Sequence, residues 1–178
     1  MTCKPLSLLA LALFFLLGVG CCPLTKLNIS IALDKSFQDK YGTDRQVTVD
    51  VVGVKEADND RWKRYSMTSY WEANDTMRNT PLRKTLTFNS SKLDPQVVAS
   101  DDPMWEQWMA GTSDKHPPQI YVLVQIPKTF DKSKDDKDGS EDPRRQILST
   151  SSCIFKPGAM GAAPTIHLVL DVDRLNLR

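Results

Sequence analysis

Strict alternation of apolar and polar residues is the feature that most narrows what this chain can become. Leu27, Ile29, Ile31 and Leu33 interleave with Asn28, Ser30 and Ala32. Successive side chains of a strand point to opposite faces, so this pattern builds a strand with one buried face. The same period returns in Arg83–Phe88, where Leu82, Leu86 and Phe88 are in phase, and in Ile166, Leu168, Leu170 and Val172. Ile120, Val122, Val124 and Ile126 repeat it once more, but Tyr121 and Leu123 make the second phase nearly as apolar, which predicts a central strand buried on both faces. Gln46–Lys55 sets Val47, Val49 and Val51 in one phase and Val52 and Val54 in the other, with Gly53 between. Either a bulge near Gly53 or burial of both faces accommodates that. A weaker strand is expected over Gln146–Phe155, and Leu175 and Leu177 run to the end of the chain.

Helical signals are few. Asp102 suits an N-cap, Pro103 suits the first helical position, and Gly111 offers a stop; between them Trp105, Trp108 and Met109 form one apolar face at i, i+3 and i+4. Asn59 or Asp60 could cap a second short helix in which Trp62 and Tyr65 stand three apart. Trp62, Tyr65, Tyr70 and Trp71 are expected to pack against the sheet edge. The competing reading makes Trp62, Tyr70 and Trp71 an exposed platform for glycan or peptide. Asp34–Arg45 reads as a polar connection turned at Gly42, in which Phe37 and Tyr41 either tuck back onto the sheet or form a contact surface. Six or seven strands, one or two short helices and no βαβ alternation predict an all-β fold, an antiparallel β-sandwich.

The amino terminus bears on where the domain works. Leu6–Val19 carries no charge, follows Lys4 and runs into Gly20-Cys21-Cys22, the layout of a signal-peptide core with a small residue just before a cysteine. It resembles the lipobox of bacterial lipoproteins, with Cys21 as the acylated residue and Cys22 as the alternative frame. An uncleaved membrane anchor or simple secretion are the other readings. The division expected is residues 1–20 as lipoprotein signal peptide, 21–25 as tether and 26–178 as the sandwich domain. Loss of residues 1–20 removes Lys4 alone among the charges and leaves 22 basic against 22 acidic residues, which points to neither nucleic acid nor an acidic polymer as partner. Cys22 and Cys153 could pair in an oxidising compartment, or stay apart as a tether thiol and a small apolar strand residue.

Reactive chemistry is sparse. His116 sits beside Pro117-Pro118 and His167 in the outward phase of a strand, and neither has a serine or cysteine in triad context. Asp136-Lys137-Asp138-Gly139 has the look of the middle of a calcium loop, yet with Gly139 at the sixth position Lys134 and Arg145 fall where the anchoring carboxylates belong. Residues 128–144 therefore read as a solvated charged loop. No enzyme, no metal and no cofactor is expected.

Taken together, a cysteine after a lipobox-like run, a first strand LNISIAL, a polar loop, a valine-rich second strand VTVDVVGV with an aromatic-rich tail and further strands to the chain end resemble the outer-membrane lipoproteins of type VI secretion systems, the TssJ family. That resemblance implies a transthyretin-like sandwich, lipid-anchored at the periplasmic face of the outer membrane. It also implies a docking partner, the periplasmic part of the inner-membrane secretion protein TssM. By position, the partner-binding loop would be Asp34 to Arg45, with Phe37 and Tyr41 as anchors. The runner-up is a periplasmic or surface binding module that uses the Trp62, Tyr70 and Trp71 platform.

Overall fold

The computed structural model describes residues 24–42, 45–113, 115–126, 142–152, 154, 162–171 and 174–177. The expectations for Cys21, Cys22, Cys153, Val172 and residues 127–141 lie outside them. In chain order the elements are β1 (Asn28–Leu33), α1 (Lys35–Tyr41), β2 (Val47–Val54), α2 (Glu56–Arg64), α3 (Met67–Tyr70), β3 (Arg83–Phe88), β4 (Gln96–Val98), α4 (Met104–Met109), β5 (Gln119–Gln125), β6 (Arg145–Ser149), β7 (Thr165–Leu170) and β8 (Leu175–Leu177). Two four-stranded sheets form, one in the order β4-β1-β7-β8 and the other β3-β2-β5-β6. The sandwich is as the alternation requires. Among the described residues its pairings are antiparallel with one exception: β1 lies parallel to β7 in unbroken register, Asn28 opposite Thr165 through Leu33 opposite Leu170. Pairing is set by which apolar faces meet across the core, and these two strands, far apart in sequence, enter it from the same end.

Ile29 and Ile31 of β1, Val98, Ile166, Leu168 and Leu170 face Val49, Val51, Leu86, Phe88, Val122 and Val124 across the core. The two-phase apolarity of β2 and β5 has a simple cause. Their inward residues fill this core, while Val52, Val54, Tyr121 and Leu123 point outward under a second cluster formed with Trp62, Met67, Tyr70 and Met77. The segment carrying α2 and α3 thus covers the outer face of the β3-β2-β5-β6 sheet; its aromatics lie on that face and not at an edge. Register runs without interruption from Thr48 to Val54 against β5, so burial of both faces, and not a bulge, accounts for Gly53. Gly53 is glycine because a Cβ there would lie 2.3 Å from Trp108 Cγ and Cδ1.

The described residues hold four helices where one or two were expected. α4 follows its signals: Asp102 Oδ1 accepts the Met104 amide at 3.0 Å, Pro103 is in αR conformation and Gly111 takes φ 71°. Trp105 and Trp108 from α4 close one end of the core, edge to face at 5.0 Å. The edges of the two sheets are stitched to each other. Gln96 Nε2 donates to Thr87 O at 2.7 Å, joining β4 to β3, and Leu175 N donates to Pro143 O at 2.9 Å, joining β8 to the entry of β6. Such links cover strand edges that would otherwise be open to pairing with other chains.

Candidate functional site

The strand directions give the molecule two distinct ends. At one, Leu24 bridges Ser151, Thr25 N donates to Thr150 O at 2.8 Å and Asn28 N to Pro164 O at 2.9 Å, and Lys26 pairs with Glu106 of α4. This is the entry end, where the described chain begins at Leu24. β1 then rises about 3.3 Å per residue, so its six residues carry the backbone roughly 20 Å away. α1, the start of β2, the turn after β3 and the end of β7 gather at the far end. That grouping follows from register: Val47 pairs with Phe88, Ile31 with Gln96 and Leu33 with Leu170.

The segment between β1 and β2, expected as a polar loop, is a helix over Lys35–Tyr41. Its start was legible after all. Asp34 is an N-cap whose Oδ1 accepts the Ser36 amide at 2.9 Å, and Phe37 and Tyr41 stand i, i+4 on one face. Gly42, at φ 79°, ends the helix and donates its N–H to Gln38 O at 2.9 Å. Phe37 is 1% exposed and belongs to the main core, with half-buried Tyr41 packed beside it at 4.7 Å between ring centroids. Of the two readings of these rings, tucking back onto the sheets is the one that occurs: they hold α1 in place, and its outward face is left to Lys35, Asp39 and Lys40, with Arg45 exposed just beyond. The Ser36 hydroxyl lies 2.8 Å from Asp34 Oδ1 and 2.7 Å from Asp171 Oδ1. With one proton it donates to one of them at a time, and in both arrangements it stays between α1 and the end of β7. Asp34 N adds a backbone bond to Leu170 O at 2.8 Å.

The exit of the charged loop is fixed at the same end. Arg144 Nε and Nη2 donate to the two oxygens of Asp142 at 2.9 and 2.6 Å, a bidentate pair with both residues buried. Arg145 donates to the carbonyls of Lys63 and Tyr65, where α2 ends. Burial disfavours its charged form and holds its pKa below the usual guanidinium value.

The alternative platform is not exposed. Trp62 and Tyr70 are buried and Trp71 is half-buried; Trp62 lies 6.1 Å from Tyr70 and 5.7 Å from Tyr121, and Trp71 meets Tyr70 edge-on at 5.1 Å. Beneath them lies a group that alternation alone did not single out. Asp50, fully buried in the middle of β2, accepts Tyr70 Oη at 3.1 Å, Arg78 Nε at 3.1 Å and Thr85 Oγ1 at 2.6 Å. Arg78 in turn stacks 4.5 Å above the Trp71 ring. A buried carboxylate needs such partners, so an aspartate inside a valine run was itself a signal that a cationic segment must fold over this face. Burial, then the Asp50 charge and hydrogen bond, push the Tyr70 phenol far up, and burial pushes Tyr121 up to about 12. These rings hold the cover on the sheet; they do not offer a stacking surface.

Among the described residues no cluster of histidine, cysteine, aspartate or glutamate could hold a metal, and no helix is long and apolar enough to cross a membrane. His116 pairs with Glu56 at the entry end, and His167 is exposed on β7. No family model and no curated protein matches the chain. Among solved structures it is similar to the C-terminal domain of the type VI secretion protein TssM from EAEC, with a TM-score of 0.50 and 12% identity over 85% of this chain and 99% of that one. It is also similar to Serratia marcescens Lip, a membrane-bound component of the type VI secretion system, with a TM-score of 0.46 and 10% identity over 87% and 96%. The lipoprotein TssJ1 of Pseudomonas aeruginosa follows with a TM-score of 0.45 and 10% identity over 88% and 96%. At 12% identity, what this chain has in common with the TssM domain is its fold.

Proposed function

We propose that this chain is a bacterial envelope lipoprotein that anchors a type VI-like secretion complex to the outer membrane. In this reading residues 1–20 are a cleaved signal peptide, Cys21 (alternatively Cys22) carries the acyl chains, and residues 26–178 form the working domain. Two or more acyl chains suffice for stable anchoring. The far end docks the periplasmic part of a TssM-like inner-membrane protein. The observation that carries the proposal is the separation of the two ends: the tether enters beside Thr150 and Ser151, and α1 stands at the opposite end of β1. A rigid sandwich between a lipid anchor and a presented helix suits a spacer that grips a partner. The role is binding and not catalysis.

Phe37 and Tyr41 then act as the internal props of the docking segment, Asp34 starts its helix, and Lys35, Asp39, Lys40 and Arg45 supply its outward surface. The test is cross-linking in intact cells, recovery of the tagged full-length protein from detergent extract and identification of what accompanies it. A large inner-membrane secretion protein should be recovered, and lost both in Cys21→Ser and in a variant with Lys35, Lys40 and Arg45 changed to glutamate. Capture that persists in the charge-reversed variant would refute the docking segment. Recovery of cell-wall glycan alone would refute the anchoring role.

A further inference from the structure

We propose that β1 is the tension member of this molecule: force entering at the tether and resisted at the far end shears β1 against both of its neighbours. The inference rests on the anchoring reading for its purpose, but its geometry stands on the strand register alone. β1 is an inner strand of its sheet, paired along its whole length with β7 and over Ile29–Ile31 with β4. Because β1 and β7 are parallel, the start of β1 and the end of β7 lie at opposite ends of the molecule. A pull between those points runs along the strands and across their hydrogen bonds, so the bonds of both ladders are strained at once instead of in succession.

Side chains resist in the same direction. Leu27, Ile29 and Ile31 are fully buried, and a slip of one residue would turn every side chain of the strand to the opposite face. Phe37 follows the strand at the far end with its ring already seated in the core, and dense packing leaves no room for the ring to be drawn further along β1. It works as a stop that keeps β1 from being drawn toward the membrane. The Ser36 bridge to Asp171 joins the docking segment to the end of β7, so a load placed on α1 reaches both members of the parallel pair. β8 is different: it lies at a sheet edge, paired with β7 over the short ladder Leu175–Leu177 and joined to the entry of β6 by the Leu175 N–Pro143 O bond, an arrangement that a pull can peel.

The test is optical-tweezer unfolding of the full chain in detergent micelles, with click-chemistry handles introduced at two pairs of positions. Handles at Thr25 and Arg174 load β1 and β7 from opposite ends, whereas handles at Thr25 and Ala162 open the same two strands from one end. At equal loading rate the first geometry should rupture at a severalfold higher force, since forced unfolding follows the barrier along the pulled coordinate and not equilibrium stability. Equal forces in the two geometries would overturn the proposal. Phe37→Leu should lower the first force and leave the second unchanged, because opening from the entry end does not reach that ring; an equal drop in both would overturn its role as a stop. Loss of partner capture in cells would leave this anisotropy intact, and loss of the anisotropy would leave capture intact, so each reading fails separately.

Discussion

Gly53→Ala is the sharpest test of the packing described above, because two opposed effects predict opposite signs. In an unobstructed strand the change should stabilise by about 0.5–1 kcal/mol, since glycine loses more conformational freedom on folding. Here the new Cβ would lie 2.3 Å from Trp108 Cγ and Cδ1 and 2.6 Å from its Cβ, where carbon contacts ordinarily sit at about 3.5–4.0 Å. These atoms are the root of the side chain, so no terminal rotation relieves the overlap and α4 must shift by more than an ångström. That shift strains the bond from Trp108 Nε1 to Leu82 O at 2.8 Å and the edge-to-face contact with Trp105. Overpacking at about 1–3 kcal/mol and a weakened hydrogen bond at about 1 kcal/mol outweigh the entropic gain, for a net loss of about 2–3 kcal/mol. A domain of this size should then melt about 5–10 °C lower, which urea titration and thermal circular dichroism would read directly. Repeated in a Trp108→Ala background, which removes the two atoms at 2.3 Å and leaves only the Cβ at 2.6 Å, Gly53→Ala should cost much less, a coupling of about 1–2 kcal/mol in the double-mutant cycle. A neutral or stabilising effect in the otherwise unchanged protein would refute the assigned close approach of α4 to β2.

Four further outcomes are expected. Arg78→Met should cost about 3 kcal/mol by urea denaturation, because it leaves the buried Asp50 carboxylate with weaker partners, Arg83 Nη1 being 3.9 Å away. Trp105→Ala should cost about 3–5 kcal/mol, as befits a fully buried ring whose Nε1 donates to Ala99 O at 2.9 Å. Alkaline titration should show Tyr121 titrating late: its folded pKa of about 12 lies above the ordinary 10, so its contribution is complete below pH 10 and lost as pH rises toward 12. Tyr70 shifts in the same direction, so the urea midpoint should fall across that window while native-state phenolate absorbance lags that of the unfolded chain. Charge reversal at Lys35 and Lys40, both exposed, should leave stability within about 0.5 kcal/mol even though Lys40 Nζ lies 5.3 Å from the Tyr41 ring centroid; a large loss would mean that these residues hold the fold.

Most strands could be read directly because a half-buried strand writes its face into every second residue. β1, β3, β5 and β7 lie within a residue or two of the runs that predict them. β4 could not be found this way, since its three residues are too few to show a period. β6 ends at Ser149, short of the expected Phe155. α1 was hidden by its polarity: Asp34, Gly42 and the i, i+4 pair of Phe37 and Tyr41 were all visible, but a single buried ring per face resembles a loop aromatic as much as a helix stripe. The aromatics of 62–71 show the converse limit. Their number signals a shared role, yet burial or exposure depends on what lies beneath them, and Asp50 with Arg78 decides it.

The sequence by itself determined the layered β architecture, the two-faced burial of β5 and the punctuation of α4, because these follow from local periodicity and capping; for β2 it left a bulge and two-faced burial as alternatives. Only the tertiary structure decided that β1 runs parallel to β7, that α2 and α3 cover one sheet, and that Leu24 and α1 stand at opposite ends of β1. Those outcomes depend on contacts between residues far apart in the chain, such as Asn28 with Thr165, Ser36 with Asp171 and Trp62 with Tyr121. The competition among apolar faces that selects such partners leaves no mark in the spacing of either segment alone.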